Sequence, residues 1–216
     1  MHRFDDELYF TATAACFVRG HLADAPIDAS DAQVCSFGAD RGLDLHKFKR
    51  TMGLPRVSRV LGAIEQFRPT TLLDVGSGRG AFLWPLLDRF PDLDVTATDV
   101  DPIRARDLQA VARGGVAKLC ARAIDVTGME RDGVFDVVTV LEVLEHVEDP
   151  APVARACVDL AGRAVIASTP SQPDDNPGHV RLFTPDSLRG LLLEAGATRV
   201  SLDRVRGHHV AIATLR

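Results

Sequence analysis

Four stretches of the sequence carry side chains able to do chemistry. Glu142, Glu145 and His146 stand at i, i+3 and i+4, the spacing that places three groups on one face of a helical turn. Two carboxylates and an imidazole so placed can hold a divalent cation or supply a base. His179 closes a second stretch, STPSQPDDNPGH over 168–179, whose prolines and Asx residues make an irregular but fixed loop. A third, Arg206-Gly207-His208-His209, opens the last apolar run of the chain. An ordinary imidazole titrates near neutrality, so any of these histidines offers a general base, with His146 and His179 the preferred pair. The fourth stretch is a glycine loop. Asp74-Val75-Gly76-Ser77-Gly78-Arg79-Gly80-Ala81 runs from an apolar segment into a helical one, and its glycines allow a tight turn and close approach of a ligand to the backbone.

The glycine loop has two readings. Gly76, Gly78 and Ala81 satisfy the dinucleotide pattern G-x-G-x-x-G/A, which points to a nicotinamide oxidoreductase. Asp74 argues against a pyrophosphate, which its carboxylate would repel, and suits a cationic amino-acid headgroup or a loop hydrogen bond. Asp99 follows Asp74 by 25 residues at the end of the next apolar run, where a carboxylate can accept both ribose hydroxyls. Asp125 can accept from an adenine amino group or cap the short turn that follows.

The elements that must position these groups follow from periodicity and punctuation. Asp101-Pro102, Asp149-Pro150 and Thr184-Pro185 each set a capping side chain before a proline suited to a first helical position. Stripes at Val153, Cys157, Leu160 and Ala161, and at Leu188, Leu191, Leu192 and Ala195, follow two of them. Leu83, Leu86, Leu87 and Phe90 form the inner face of the helix after the glycine loop. Strands are expected over 71–75, 95–98, 117–123, 135–141, 164–168, 199–203 and 210–215. Strands and helices alternate from 70 to 170, which implies a parallel sheet with helices on both faces. The last two strands are joined by about six residues, too few for a parallel crossover, so they pair antiparallel. An antiparallel last strand begins at the edge where the other strands end, which brings His208 or His209 to that edge. Residues 1–69 break the alternation: 6–18 and 54–67 read as helices and 25–42 as turns. They form an N-terminal helical cap over the ligand-binding edge or pack on one sheet face. His46-Lys47-Phe48-Lys49-Arg50, the only basic run, is either a grip for an acidic substrate or a solvated cluster.

The 216 residues suit one core with an appendage. Thirty acidic against 25 basic residues leave −5, which argues against a phosphate-neutralising surface. No apolar run approaches the ~18 residues of a membrane helix. The N-terminus MHRFDDELYF lacks a signal-peptide pattern. Cysteines 16, 35, 120 and 157 have no CxxC spacing and read as free thiols in a reducing, cytoplasmic compartment.

LLDVGSGRGAF, TATDVD, AIDV and FDVVTVLEVLEHVEDP, in that order and followed by an antiparallel pair, resemble the class I S-adenosylmethionine-dependent methyltransferases of small-molecule type. The resemblance covers 70–216, as a methyltransferase core beside the 1–69 cap. It implies an α/β, Rossmann-like, seven-stranded sheet with only the last strand antiparallel. It also implies that Asp74, Gly76, Ser77, Gly78 and Gly80 hold the methionine end of the donor, Asp99 the ribose, and Ile124 with Asp125 the adenine. Val100 and Leu141 line the same site. The product is S-adenosylhomocysteine. HVRLFTPDSL is similar to a stretch that recurs in small-molecule methyltransferases, and the acceptor is expected to be a small molecule rather than nucleic acid or membrane. A monomer or homodimer is expected. Members resembling this stretch also suggest the alternative of a metal-dependent RNA 2′-O-methyltransferase with Glu142, Glu145, His146 and His179 on the metal; net charge weighs against it. A non-catalytic binding module that keeps the fold is the remaining rival.

Overall fold

The computed structural model describes residues 4–50, 54–130 and 134–215. Among them run the α-helices α1 (Thr11–His21), α2 (Asp31–Asp40), α3 (Pro55–Phe67), α4 (Leu83–Arg89), α5 (Pro102–Arg113), α6 (Ala151–Leu160) and α7 (Pro185–Glu194). The strands are β1 (Thr71–Val75), β2 (Asp94–Asp99), β3 (Leu119–Ala123), β4 (Phe135–Leu141), β5 (Ala161–Pro170), β6 (Arg199–Val205) and β7 (His208–Thr214). They form one seven-stranded sheet in the order β3-β2-β1-β4-β5-β7-β6. The pairs β1/β4, β2/β3 and β4/β5 are parallel, and β7 is antiparallel to both β5 and β6. This is the expected α/β architecture with its antiparallel last strand. No helix among the described residues is long and apolar enough to cross a membrane.

Two of the three proline-marked helix starts stand where expected. Asp101 caps α5 by accepting from Ile103 N at 2.8 Å. Thr184 caps α7 in a reciprocal box with Ser187. The third begins one residue late: Pro150 is itself the N-cap of α6, and Asp149 Oδ1 accepts from Ala151 N at 3.2 Å. Ala161 is not on the α6 stripe, because the chain turns directly into β5 there. Residues 25–42, read as turns, contain α2. Its start was written in the sequence as Ser30 and Gln33, a capping box outweighed by the surrounding glycine and Asx residues. The first helix begins at Thr11, later than position 6.

The described residues fall into two compact units. One holds residues up to 50 together with 77–123; the other holds 54–76 together with residues from 124 onward. In the first, α1 lies against α5, and α5 against β2 and β3. The basic run is held inside this unit. Lys47 pairs with Asp107, and Arg50 makes two 2.9 Å bonds to Asp88 while its guanidinium covers the Phe10 ring. These cations serve internal pairs, and Lys47 at 13% side-chain exposure is neither part of a solvated cluster nor turned out as a substrate grip. In the second unit, Leu73, Val75, Val138, Val140, Val165, Ala167, Ala211 and Ala213 present one sheet face to the apolar stripes of α6 and α7. Alternation sends Leu72, Asp74, Val137, Thr139 and Ser168 to the other face. Helix α3 packs on β6 and β7.

Candidate active site

The glycine loop begins where β1 ends. Gly76, Gly78 and Gly80 have φ of 70°, 58° and 82°, a region that side chains disfavour. A Cβ on Gly80 would stand 2.0 Å from the buried Trp84 ring, and one on Gly76 2.4 Å from Val143 Cγ2. Both positions exclude any side chain, because the Trp84 ring and Val143 already fill the space beside the backbone. Within the first unit, Ser77 N donates to Thr98 O at 3.0 Å and Gly78 N to Asp99 Oδ2 at 2.8 Å. Asp99 is buried, and its Oδ1 accepts from Asp101 N at 2.9 Å. The carboxylate thus fixes the loop against the end of β2. Each oxygen has a second lone pair for a further donor. Val100, next in the chain, is 70% exposed and offers an apolar face.

Within the second unit, Asp74 is buried and its Oδ1 accepts from Thr139 Oγ1 at 2.7 Å. Asp125 is exposed and caps a short turn, its Oδ1 accepting from Thr127 N at 2.8 Å and Thr127 Oγ1 at 2.7 Å. Ile124 and Leu141 are half-buried.

The Glu/His group differs from expectation. Glu142, Glu145 and His146 do not share one helical face. Only Leu144–His146 form a turn, and Glu142 sits before it at φ 58°, the left-handed region. That rotation sends the Glu142 carboxylate away from the other two. Oε1 accepts from Ser168 Oγ at 2.7 Å, and Oε2 lies 3.1 Å from His208 Nε2. Glu145 is fully buried at 0% exposure, and neither of its oxygens has a hydrogen-bond partner. Burial, with the Glu142 charge adding to it, pushes its carboxyl up to about 8.

His146 and His179 meet beside Glu145. Their rings pack edge to face with centroids 4.7 Å apart. Ligand-capable atoms of Glu145, His146 and His179 all lie within 4.8 Å of one another. His146 Nδ1 is 2.8 Å from Gly178 O, a group that can only accept, so Nδ1 carries the hydrogen and Nε2 of the neutral ring keeps a lone pair. His179 Nδ1 lies 2.8 Å from Asp174 Oδ1, and its Nε2 3.0 Å from the Asn176 side-chain amide. A second-shell oxygen on Nδ1 is how proteins orient an imidazole for a metal or a proton. These orienting groups were not identified from the sequence, although the DDNPGH run that supplies them was visible. Of the other two histidines, topology placed His208 correctly, opposite Pro170 at the end of β5. His209 is buried, and desolvation together with Arg204 and His208 holds its imidazole below the ordinary range.

Comparison with known proteins decides between the two readings of the glycine loop. A methyltransferase domain family matches residues 73–163. The chain's fold is that of methyltransferases solved with bound S-adenosylmethionine or S-adenosylhomocysteine. Among curated relatives, a ubiquinone biosynthesis O-methyltransferase of Colwellia psychrerythraea is 27% identical over 173 residues, 66% of this chain and 69% of that protein. The protein so named from Pseudomonas paraeruginosa is 38% identical over 103 residues, 46% of this chain and 44% of that protein. In fold, the chain is similar to magnesium protoporphyrin IX methyltransferase of Synechocystis with bound S-adenosylhomocysteine. The TM-score is 0.61 at 18% identity, over 74% of this chain and 82% of the other. It is also similar to the methyltransferase domain of bacterial CtHen1-C, with TM-score 0.64 at 17% identity, over 74% of this chain and 97% of the other.

Proposed function

We propose that this chain transfers a methyl group from S-adenosylmethionine to a hydroxyl oxygen of a small-molecule acceptor, with Glu145, His146 and His179 managing the hydroxyl. The glycine loop over 76–80 and Asp99 fit the donor, because the left-handed glycines make the tight turn that bends a loop around a ligand and the carboxylate keeps lone pairs for hydroxyls. Asp74, Val100, Ile124, Asp125 and Leu141 are assigned to the donor with them. The bound donor supplies a methyl group on a cationic sulfur, transferable in one displacement. The chain's own task is to align the acceptor oxygen and take charge of its proton.

The observation that carries this reading is the fully buried, unpartnered Glu145 carboxylate beside two oriented imidazoles. A buried carboxylate without a partner is costly, and a proton or a cation relieves it. Glu145, His146 and His179 therefore fit a divalent cation, which supplies Lewis-acid charge that lowers the pKa of a hydroxyl. Glu142, expected in that group, is engaged by Ser168 and His208 instead. Without a cation, the Nε2 lone pair of His146 is the base for the same proton, while His179, whose Nε2 accepts from the Asn176 amide, packs against it.

The test is calorimetric titration of S-adenosylmethionine and S-adenosylhomocysteine, followed by thermal melting with Mn²⁺ or with chelator. Both nucleosides bind, Mn²⁺ raises the melting temperature of the wild type, and His179→Ala abolishes that rise. Failure of both nucleosides to bind rejects the transferase reading. A melting temperature indifferent to Mn²⁺ and Mg²⁺ rejects the cation and leaves the histidine base.

A further inference from the structure

We propose that Arg56 is an anion subsite that receives a carboxylate carried by the methyl acceptor. The inference rests on the transferase reading above and adds the acceptor's chemical class to it. Arg56 enters from the first turn of α3, and its side chain is only 17% exposed. A guanidinium offers five donors in a planar fork suited to a carboxylate. Its nearest carboxylate oxygen, Glu142 Oε1, stands 3.7 Å from Nε, beyond hydrogen-bond reach. Among the described residues, the Arg56 guanidinium makes no hydrogen bond at all. One turn along the same helix, Arg59 shows the contrast: its Nε donates to Asp203 Oδ2 at 2.7 Å.

Glu142 does not satisfy Arg56, because Glu142 is committed elsewhere. Its left-handed backbone turns the carboxylate toward Ser168 Oγ at 2.7 Å and His208 Nε2 at 3.1 Å. Ser168 Oγ already donates to that carboxylate, and the Arg56 fork, which makes no hydrogen bond to it, keeps its capacity for an incoming anion. Glu142 stands just before the Leu144–His146 turn, so Arg56, 3.7 Å from it, lies at the same end of β4 as Glu145 and His146. Val180 and Leu182 follow His179 and are 56% and 47% exposed, and Val180 N is anchored on Glu145 O at 3.0 Å. They offer contact to an apolar body. The acceptor that fits these features is a small carboxylic acid with an apolar or aromatic frame and a hydroxyl to be methylated.

The test uses the full chain and benzoate as probe, with benzyl alcohol as its neutral counterpart, both titrated by calorimetry. Benzoate binds about tenfold tighter than benzyl alcohol to the wild type, the difference of one charge-assisted fork. Arg56→Gln removes that preference, and Arg56→Lys, which keeps the charge without the fork, retains part of it. Equal binding of the two probes, no binding of benzoate, or unchanged benzoate preference in Arg56→Gln overturns the proposal, with Arg56 then only balancing Glu142 and Glu145. S-adenosylmethionine is titrated into the same samples. Loss of nucleoside binding with benzoate selectivity intact sinks the transferase reading alone, whereas nucleoside binding without benzoate selectivity sinks the subsite alone.

Discussion

Gly80→Ala separates two costs that usually come mixed, and the chain contains its own control. Gly80 and Gly42 share the same backbone angle, φ 82°. A Cβ on Gly42 meets nothing within 4 Å, whereas one on Gly80 stands 2.0 Å from the Trp84 ring. Gly42→Ala should therefore show the left-handed penalty alone, about 1–2 kcal/mol. Gly80→Ala adds the displacement of an aromatic ring that is 2% exposed and donates from Nε1 to Arg79 O at 3.0 Å. Overpacking of that kind costs about 1–3 kcal/mol further. The sum is roughly 2–5 kcal/mol, whose midpoint lowers the melting temperature of a domain this size by about 10 °C. The chain has a single tryptophan, so the fluorescence of Trp84 reports the site directly while urea unfolding reports the whole. The expected result is a blunted, shifted Trp84 emission and a much larger loss of stability in Gly80→Ala than in Gly42→Ala, together with weaker S-adenosylmethionine binding only in Gly80→Ala. Equal losses in the two variants, or native Trp84 emission in Gly80→Ala, would refute the close packing of the loop on the ring.

Three further outcomes follow from the same geometry. Glu145 has its carboxyl pushed up to about 8 from 4.5, so in chelator the wild type binds one more proton folded than unfolded between those values and loses stability as pH rises through them. Glu145→Gln is flat over that range, and melts should show it gaining about 3 kcal/mol on the wild type at pH 7 and almost nothing at pH 4; parallel curves would contradict this. Asp99→Ala strands the part-buried N–H groups of Gly78 and Asp101 and should cost about 1–2 kcal/mol by urea unfolding, with donor affinity falling as well. Ser168→Ala removes the hydroxyl on Glu142 Oε1 and should weaken the hold on that carboxylate by about 1–2 kcal/mol, seen as a lower melting temperature at unchanged donor affinity.

Local rules made much of the molecule legible in advance. Proline after Asp101 and Thr184 marked two helix starts, because a cap and a preset φ act within one turn of chain. Continuous apolar runs marked the central strands, since a parallel strand covered on both faces has no polar side to show. The short connection before β7 forced an antiparallel pair, and that alone carried His208 to the edge where β5 ends. The order of the motifs then pointed to a methyltransferase, which the family match over residues 73–163 bears out.

The assignment of individual side chains was decided by contacts distant in sequence. Glu142 looked like the first of three ligands on a helical turn, and a left-handed backbone angle sent it to Ser168 and His208 instead. His146 and His179 are 33 residues apart, and only the fold of the proline loop sets their rings 4.7 Å from each other with Gly178 and Asp174 behind them. The basic run looked like a grip for a substrate until Asp107 and Asp88 were brought against it, while Arg56, without any motif around it, kept its donors. Spacing and type along the chain determine which elements form and which chemistry is on hand. Which charges meet, and which are left facing the cleft, depends on desolvation and neighbours that exist only once the sheet has been assembled.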